Sequence, residues 1–206
     1  MVAKLEDLFH SQEVGRGAFL SRLFAFFSEE VCRAWCACDA APFMNLGRPT
    51  IGAASGTRGH TLDFTLRHRA TGRTYVAEMK CEIQFENYRY LRLIRPDQLD
   101  HHSGAAFCAF LDIATDSGAH PVTVGGAPVA VDGAILVWGC VTPEGVAATK
   151  DRYGFADVLD VESMLAQLAE WRPAAWANYV ETRRRWVDEL FDALAYAGAG
   201  TEASGR

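Results

Sequence analysis

The sequence predicts an α/β (α+β) domain: a central mixed β-sheet flanked by helices, with extra helices at the C-terminus. Three observations predict it. Residues 60–68 and 74–82 alternate apolar and polar on either side of a glycine turn, as a half-buried hairpin does. Apolar residues recur at helical spacing near both ends of the chain. Two near-continuous apolar runs, 105–115 and 131–142, are short enough to be buried strands. The chain has 206 residues, of which 50% are hydrophobic and 22% charged, enough to bury a core. Residues 1–197 are expected to form a single domain, followed by a flexible tail, 198–206.

Taken in order, residues 4–38 predict helix. Leu5, Leu8 and Phe9 begin an apolar stripe that Ala18, Phe19, Leu23, Phe26 and Phe27 continue after a break at Gly15-Arg16-Gly17, and Ser28-Glu29-Glu30 starts a further turn. Residues 39–59, with Pro42, Pro49 and several glycines, predict a loop with room for a short strand. In the hairpin, Leu62, Phe64 and Leu66 share one face of the first strand, and Thr61, Asp63 and Thr65 the other. On the second strand, Val76, Glu78 and Lys80 share a face. A two-residue loop at Thr71-Gly72 would set Asp63 opposite Lys80 and Thr65 opposite Glu78. Residues 83–94 predict a helix ended by Pro96. After the run 105–115, residues 117–130 carry the glycines and prolines of a hairpin, and 131–142 the second buried strand. Residues 159–168 predict a short helix and 174–197 a long one, separated by Pro173.

Composition narrows the function classes. The formal net charge is −6, which counts against a general nucleic-acid binder, although a local basic cleft on an acidic enzyme keeps that partner open. No apolar run reaches the roughly 18 residues of a membrane span, so no membrane partner is expected. MVAKLEDLF has none of the layout of a signal peptide. The six cysteines sit mostly in apolar surroundings and predict reduced structural thiols in a cytoplasmic protein. Cys32, Cys36 and Cys38 fit neither zinc-knuckle nor cluster spacing.

The chemistry-bearing residues are Asp63 and the triplet Glu78-Met79-Lys80. Mg²⁺ takes hard oxygen ligands, and two carboxylates supply the charge to hold it. Such an ion can bind a phosphodiester, lower the pKa of a water and offset charge on the leaving oxygen. A lysine two residues after one carboxylate shares its strand face and can orient the water or steady developing charge. The alternative is a solvated face on which Asp63 and Lys80 make a surface ion pair worth about 0–1 kcal/mol.

An acid on one strand, a glycine turn, E-x-K on the next strand and a helix after it resemble the PD-(D/E)XK nuclease superfamily, which has the restriction-endonuclease-like fold. The resemblance covers the first two thirds of the chain. It implies a core of helix, three antiparallel strands, helix and a further strand. It implies a Mg²⁺-dependent (or Mn²⁺-dependent) deoxyribonuclease in which Asp63 and Glu78 bind the ion, Met79 lends its backbone carbonyl and Lys80 is catalytic. The proline of the family name is absent, since Leu62 precedes Asp63. Many members add a glutamate from the first helix. Glu13, in QEVGRGAFLSRLF, is the best match, with Glu29 and Glu30 as alternatives. Gln84-Phe85-Glu86-Asn87-Tyr88 has the Q-x-x-x-Y form of some exonuclease-type members, which implies that Gln84 and Tyr88 position substrate.

Other cations fit DNA as the partner. Arg67, with His68, Arg69 and Arg73, clusters at the hairpin tip, and Arg92, with Arg89 and Arg95, follows the triplet. These are phosphate contacts or ordinary solvated charge. His101-His102 reads as a polar loop. The stripe of Trp176, Tyr179, Val180, Val187, Leu190, Phe191 and Leu194 predicts packing on the sheet or across a homodimer formed by the C-terminal helices. Arg183-Arg184-Arg185 interrupts it as a solvated face or a phosphate-binding stripe. The rival to a nuclease is a catalytically inactive protein on the same scaffold that binds a partner or nucleic acid.

Overall fold

The structure, a computed structural model, describes residues 4–9, 13–52, 59–80 and 91–196. The chain divides into two compact units, Met1–Ala169 and Glu170–Arg206.

The first unit begins with helices α1 (Leu5–Phe9), α2 (Arg16–Ala25) and α3 (Ser28–Cys36). The breaks between them match the glycine pair and the serine start read in the sequence. Strands β1 (Phe43–Asn45), β2 (Pro49–Ile51) and β3 (His60–Thr61) follow, then the hairpin of β4 (Phe64–His68) and β5 (Thr74–Lys80). Beyond it come β6 (Arg92–Leu93), a 3₁₀ turn at Pro96–Leu99, helix α4 (Ala105–Thr115), and strands β7 (Val122–Val124), β8 (Ala127–Pro128), β9 (Ala134–Trp138) and β10 (Cys140–Val141). Helix α5 (Pro143–Tyr153), strand β11 (Asp157–Asp160) and helix α6 (Val161–Trp171) complete the order.

The central sheet runs β1-β4-β5-β9-β11. Its β1/β4 and β4/β5 pairs are antiparallel, and β5/β9 and β9/β11 are parallel. A second sheet, β3-β2-β7-β8, is antiparallel, and β6 pairs with β10 in parallel. The central sheet curls. Phe43 and His68 near one edge and Asp157 to Asp160 at the other line the same pocket of about 310 Å³. The sheet and helices are mixed as the sequence predicts.

Several sequence readings are corrected. Residues 60–68 are not one strand: the chain bends at Leu62-Asp63 between β3 and β4, which lie in different sheets. Residues 105–115 form helix α4, not a strand. Phe107, Phe110 and Ile113 bury at a spacing of three, which an all-apolar run hides from periodicity. Residues 92–93 form β6 where a helix to residue 94 was predicted, because Cys140 and Val141 offer them a ladder. Residues 81–90 lie outside the described residues. Residues 157–160 pair with β9 as a strand, and the helix starts at Val161 rather than Leu159. Helix α5 was not predicted, although its signals are local. The Thr142 hydroxyl accepts from Gly145 N at 3.0 Å, Pro143 opens the helix, and Gly154 ends it at φ +77°.

The hairpin keeps its faces but not its expected register. His68 N donates to Arg73 O at 2.8 Å, so the loop spans residues 69–72 with Gly72 at φ +71°. Thr65 therefore faces Val76, two residues earlier on β5 than the two-residue loop implied. A slip of two leaves every side chain on its own face.

The core lies between the central sheet and α4. Val76, Leu136 and Trp138 pack there with Phe107, Phe110, Ile113 and Phe155. On the other face, α3 packs on β1, and Phe43 meets the rings of Trp35 and Tyr75. The second unit, described by itself, holds helix α7 (Ala174–Tyr196). Trp176 stacks on Tyr179 at 5.5 Å, and the Arg183 guanidinium lies over the rings of Tyr179 and Trp186. No helix among the described residues is long and apolar enough to cross a membrane.

Candidate active site

Asp63 sits at the bend between β3 and β4, where the chain leaves the second sheet and enters the central one. Its Oδ2 accepts the backbone N–H of Met79 at 2.9 Å, which fastens the bend to β5. Glu78 and Lys80 project from β5, flanked by β4 on one side and β9 on the other. They share the face that Val76 presents to the core, and Lys80 Nζ lies 5.5 Å from the centre of the Phe107 ring on α4. Lys80 Nζ also contacts Glu78 Oε1 at 2.9 Å. The pairing thus joins Lys80 to Glu78, where the expected surface pair was Lys80 with Asp63.

The three side chains are largely withdrawn from solvent. Asp63 is 16% exposed, Glu78 12% and Lys80 22%. Taking charge this far out of water is costly unless it is matched by partners. Glu78 is only partly matched: its Oε2 is buried without a hydrogen-bond partner. Burial pushes the Glu78 carboxyl above its ordinary range, and the charge of Asp63 adds to the rise. Lys80 and a backbone hydrogen bond at Asp63 pull the other way. Trp138 Nε1, on the residue of β9 that pairs with Lys80, is also buried without a hydrogen-bond partner.

Arg48, in the loop between β1 and β2, reaches the same bend. Its Nη2 lies 3.3 Å from Asp63 Oδ1 and its Nε 3.3 Å from the Leu62 carbonyl. Nothing in the local sequence marks Arg48 or Phe107 as belonging here, because each arrives from an element distant in the chain.

Glu13 is exposed ahead of α2, and Glu29 and Glu30 both bind Arg33 on α3. Among the described residues, no group of three His, Cys, Asp or Glu side chains is placed to hold a metal ion. Among the described residues, the site offers two carboxylates, Asp63 and Glu78, with the Met79 carbonyl between Glu78 and Lys80 in the chain. The unpartnered Glu78 Oε2 and the loosely held Asp63 Oδ1 are hard oxygen donors that suit a divalent ion such as Mg²⁺.

The expected substrate residues divide. Gln84 and Tyr88 lie outside the described residues. Arg67 is exposed on β4, four residues along from Asp63, with its Nε 3.3 Å from Thr74 Oγ1. Arg92 lies on β6, where its Nε and Nη2 bind the two oxygens of Glu6 at 2.8 Å each, which raises its pKa further. The pair is bidentate and charge-assisted, the stronger kind of hydrogen bond. Of the histidine pair, His102 lies against Phe107 with ring centres 5.0 Å apart. Cys32, Cys36 and Cys140 are buried. Bonding to Cys36 and burial raise the Cys32 pKa, which makes it a poor nucleophile.

No family model, curated protein or solved structure matches the chain.

Proposed function

We propose that the protein is a Mg²⁺-dependent nuclease of the PD-(D/E)XK superfamily, hydrolysing phosphodiester bonds in DNA. The observation that carries the reading is the meeting of Asp63, at the bend before β4, with Glu78 and Lys80 of β5 in a largely buried setting, with Glu78 Oε2 left unpartnered. The strand order supports it. An antiparallel trio, β1-β4-β5, is followed by helix α4 and a parallel strand, β9, after an initial helix, α3. With β2, β3, β6, β7 and β8 set aside, that order agrees with the core the resemblance implies.

In this reading Asp63 and Glu78 hold the ion, and the Met79 carbonyl completes the protein's share of its ligands. When bound, the ion supplies a polarised phosphoryl oxygen and a more acidic water. Lys80 has its ammonium held between the Glu78 carboxylate and the Phe107 ring, so its donors are restricted in direction. It orients the attacking water or steadies charge on the phosphate as the new P–O bond forms and the ester oxygen leaves. Gln84, Tyr88 and the exposed Arg67 are proposed to position the substrate strand. Self-association through the C-terminal helices and a cytoplasmic location belong to the same proposal.

One observation favours a second reading. Arg48 and Lys80 offset the charges of Asp63 and Glu78, so the site is balanced without an ion. A catalytically inactive binding module would keep that arrangement. Cleavage of linear, circular and single-stranded DNA with Mg²⁺ or Mn²⁺ separates the two. The nuclease reading expects Lys80→Ala to lower the rate by roughly 100-fold or more. Cleavage by Lys80→Ala at the wild-type rate would sink it, and so would divalent-ion binding that ignores Asp63→Asn.

A further inference from the structure

Arg48 is the least firmly held charge at the site. Both of its contacts are 3.3 Å long, where a charge-assisted N–H···O bond is usually about 2.7–2.9 Å. Its side chain is 55% exposed, against 16% for the Asp63 it covers. The backbone on either side of it, by contrast, is pinned. Leu46 N donates to Thr65 O at 2.8 Å, Thr65 N to Gly47 O at 2.8 Å, and Leu62 N to Pro49 O at 3.0 Å. The Asn45 side chain accepts from Gly47 N at 2.9 Å. Only the side chain of Arg48 is left free to swing, and its root stays beside Asp63.

We propose that Arg48 is a displaceable counter-ion and a substrate-binding residue. In the ion-free protein it neutralises Asp63. When Asp63 Oδ1 binds a divalent cation, the guanidinium gives up that oxygen, turns to solvent at the mouth of the site and contacts a phosphate of the DNA strand. This rests on the metal-dependent nuclease reading. Charge decides which cation moves. Two carboxylates, Lys80 and Arg48 sum to zero, so adding a dication to a site with little water favours expelling a positive group. Lys80 is held at 2.9 Å by Glu78 and is 22% exposed, so Arg48 is the group that leaves. Its planar fork then suits a phosphate in two-point contact.

The test uses Mn²⁺ alone, by calorimetry, and a labelled linear DNA duplex whose binding is measured with Mg²⁺ in the Lys80→Ala background to prevent turnover. Arg48→Ala is expected to bind Mn²⁺ roughly two- to fivefold more tightly, the effect of removing an exposed ion-pair competitor. The same change is expected to weaken duplex binding and to reduce the slope of log K against log salt by about 1. Arg48→Lys, which keeps the charge, is expected to restore most of that slope. Either readout unchanged in Arg48→Ala overturns the proposal, as does weaker Mn²⁺ binding, which would make Arg48 a structural clamp. If wild type binds Mn²⁺ through Asp63 and Arg48→Ala matches it, this inference alone fails. If wild type binds no Mn²⁺, the nuclease reading falls with it.

Discussion

Glu78 concentrates the electrostatic tension of the site. One carboxylate oxygen faces Lys80, the other has no partner, and the group is mostly buried. Its raised pKa has a sign that can be followed. The folded protein holds the Glu78 proton more tightly than the unfolded chain does. Protonated Glu78 therefore carries no penalty at low pH, and ionised Glu78 disfavours folding as pH climbs from the ordinary glutamate range, near about 4.3, through its higher folded value. Without metal, Glu78→Gln is expected to gain stability relative to wild type between pH 4 and pH 7. Thermal melts of both proteins in chelator at the two pH values check this. Parallel melting temperatures would mean that Glu78 is better solvated than its surroundings imply. At this scale the sequence set Glu78 and Lys80 on one face of β5, while Asp63, expected on a strand, lies at the bend between β3 and β4. It could not supply Arg48 or Phe107, since neither is near them in the chain.

Among the elements, α5 and β6 show how closely the unit is built. A Cβ on Gly145 would lie 2.3 Å from the Leu93 carbonyl oxygen and 2.9 Å from Ile94 Cα. Backbone cannot yield there as a side-chain tip can, so Gly145→Ala is expected to cost roughly 1–3 kcal/mol through overpacking. Urea denaturation measures it. Gly72→Ala is the contrasting case, with open space around the added Cβ and only the positive φ to oppose it, at a cost of about 1–2 kcal/mol. A larger loss at Gly72 than at Gly145 would contradict the assigned packing. Helix α4 reads as a strand in the sequence because eleven nearly all-apolar residues carry no contrast between faces. The cap and stop of α5 were there to be read, in Thr142-Pro143 and Gly154.

At the scale of the whole molecule, α7 carries a stripe of exposed apolar residues. Val180, Trp186, Leu190, Phe191 and Leu194 are exposed along it, and none of its described side chains is buried. The proposed self-association is argued at this scale, because exposed apolar area of that kind is a common mark of an interface. The expected outcome is a dimer in sedimentation equilibrium at micromolar concentration, and a monomer for the double variant Leu190→Glu, Phe191→Glu. A monomeric wild type would remove the homodimer from the proposal.

Alternation and turn residues by themselves determined the hairpin, the faces of its strands and the long C-terminal helix. Those signals are local, and a period of two or of 3.6 survives without knowledge of neighbours. The tertiary structure decided the rest. The loop at residues 69–72 set the register, the ladder with Cys140 and Val141 made residues 92–93 a strand, and β9 placed Glu78 and Lys80 inside a sheet. It also joined Lys80 to Glu78, Arg48 to Asp63 and Arg92 to Glu6. The physical reason is range. Propensity and period act over a few residues, whereas burial and charge pairing depend on which distant segments meet, and the chemistry of this site depends on the second kind.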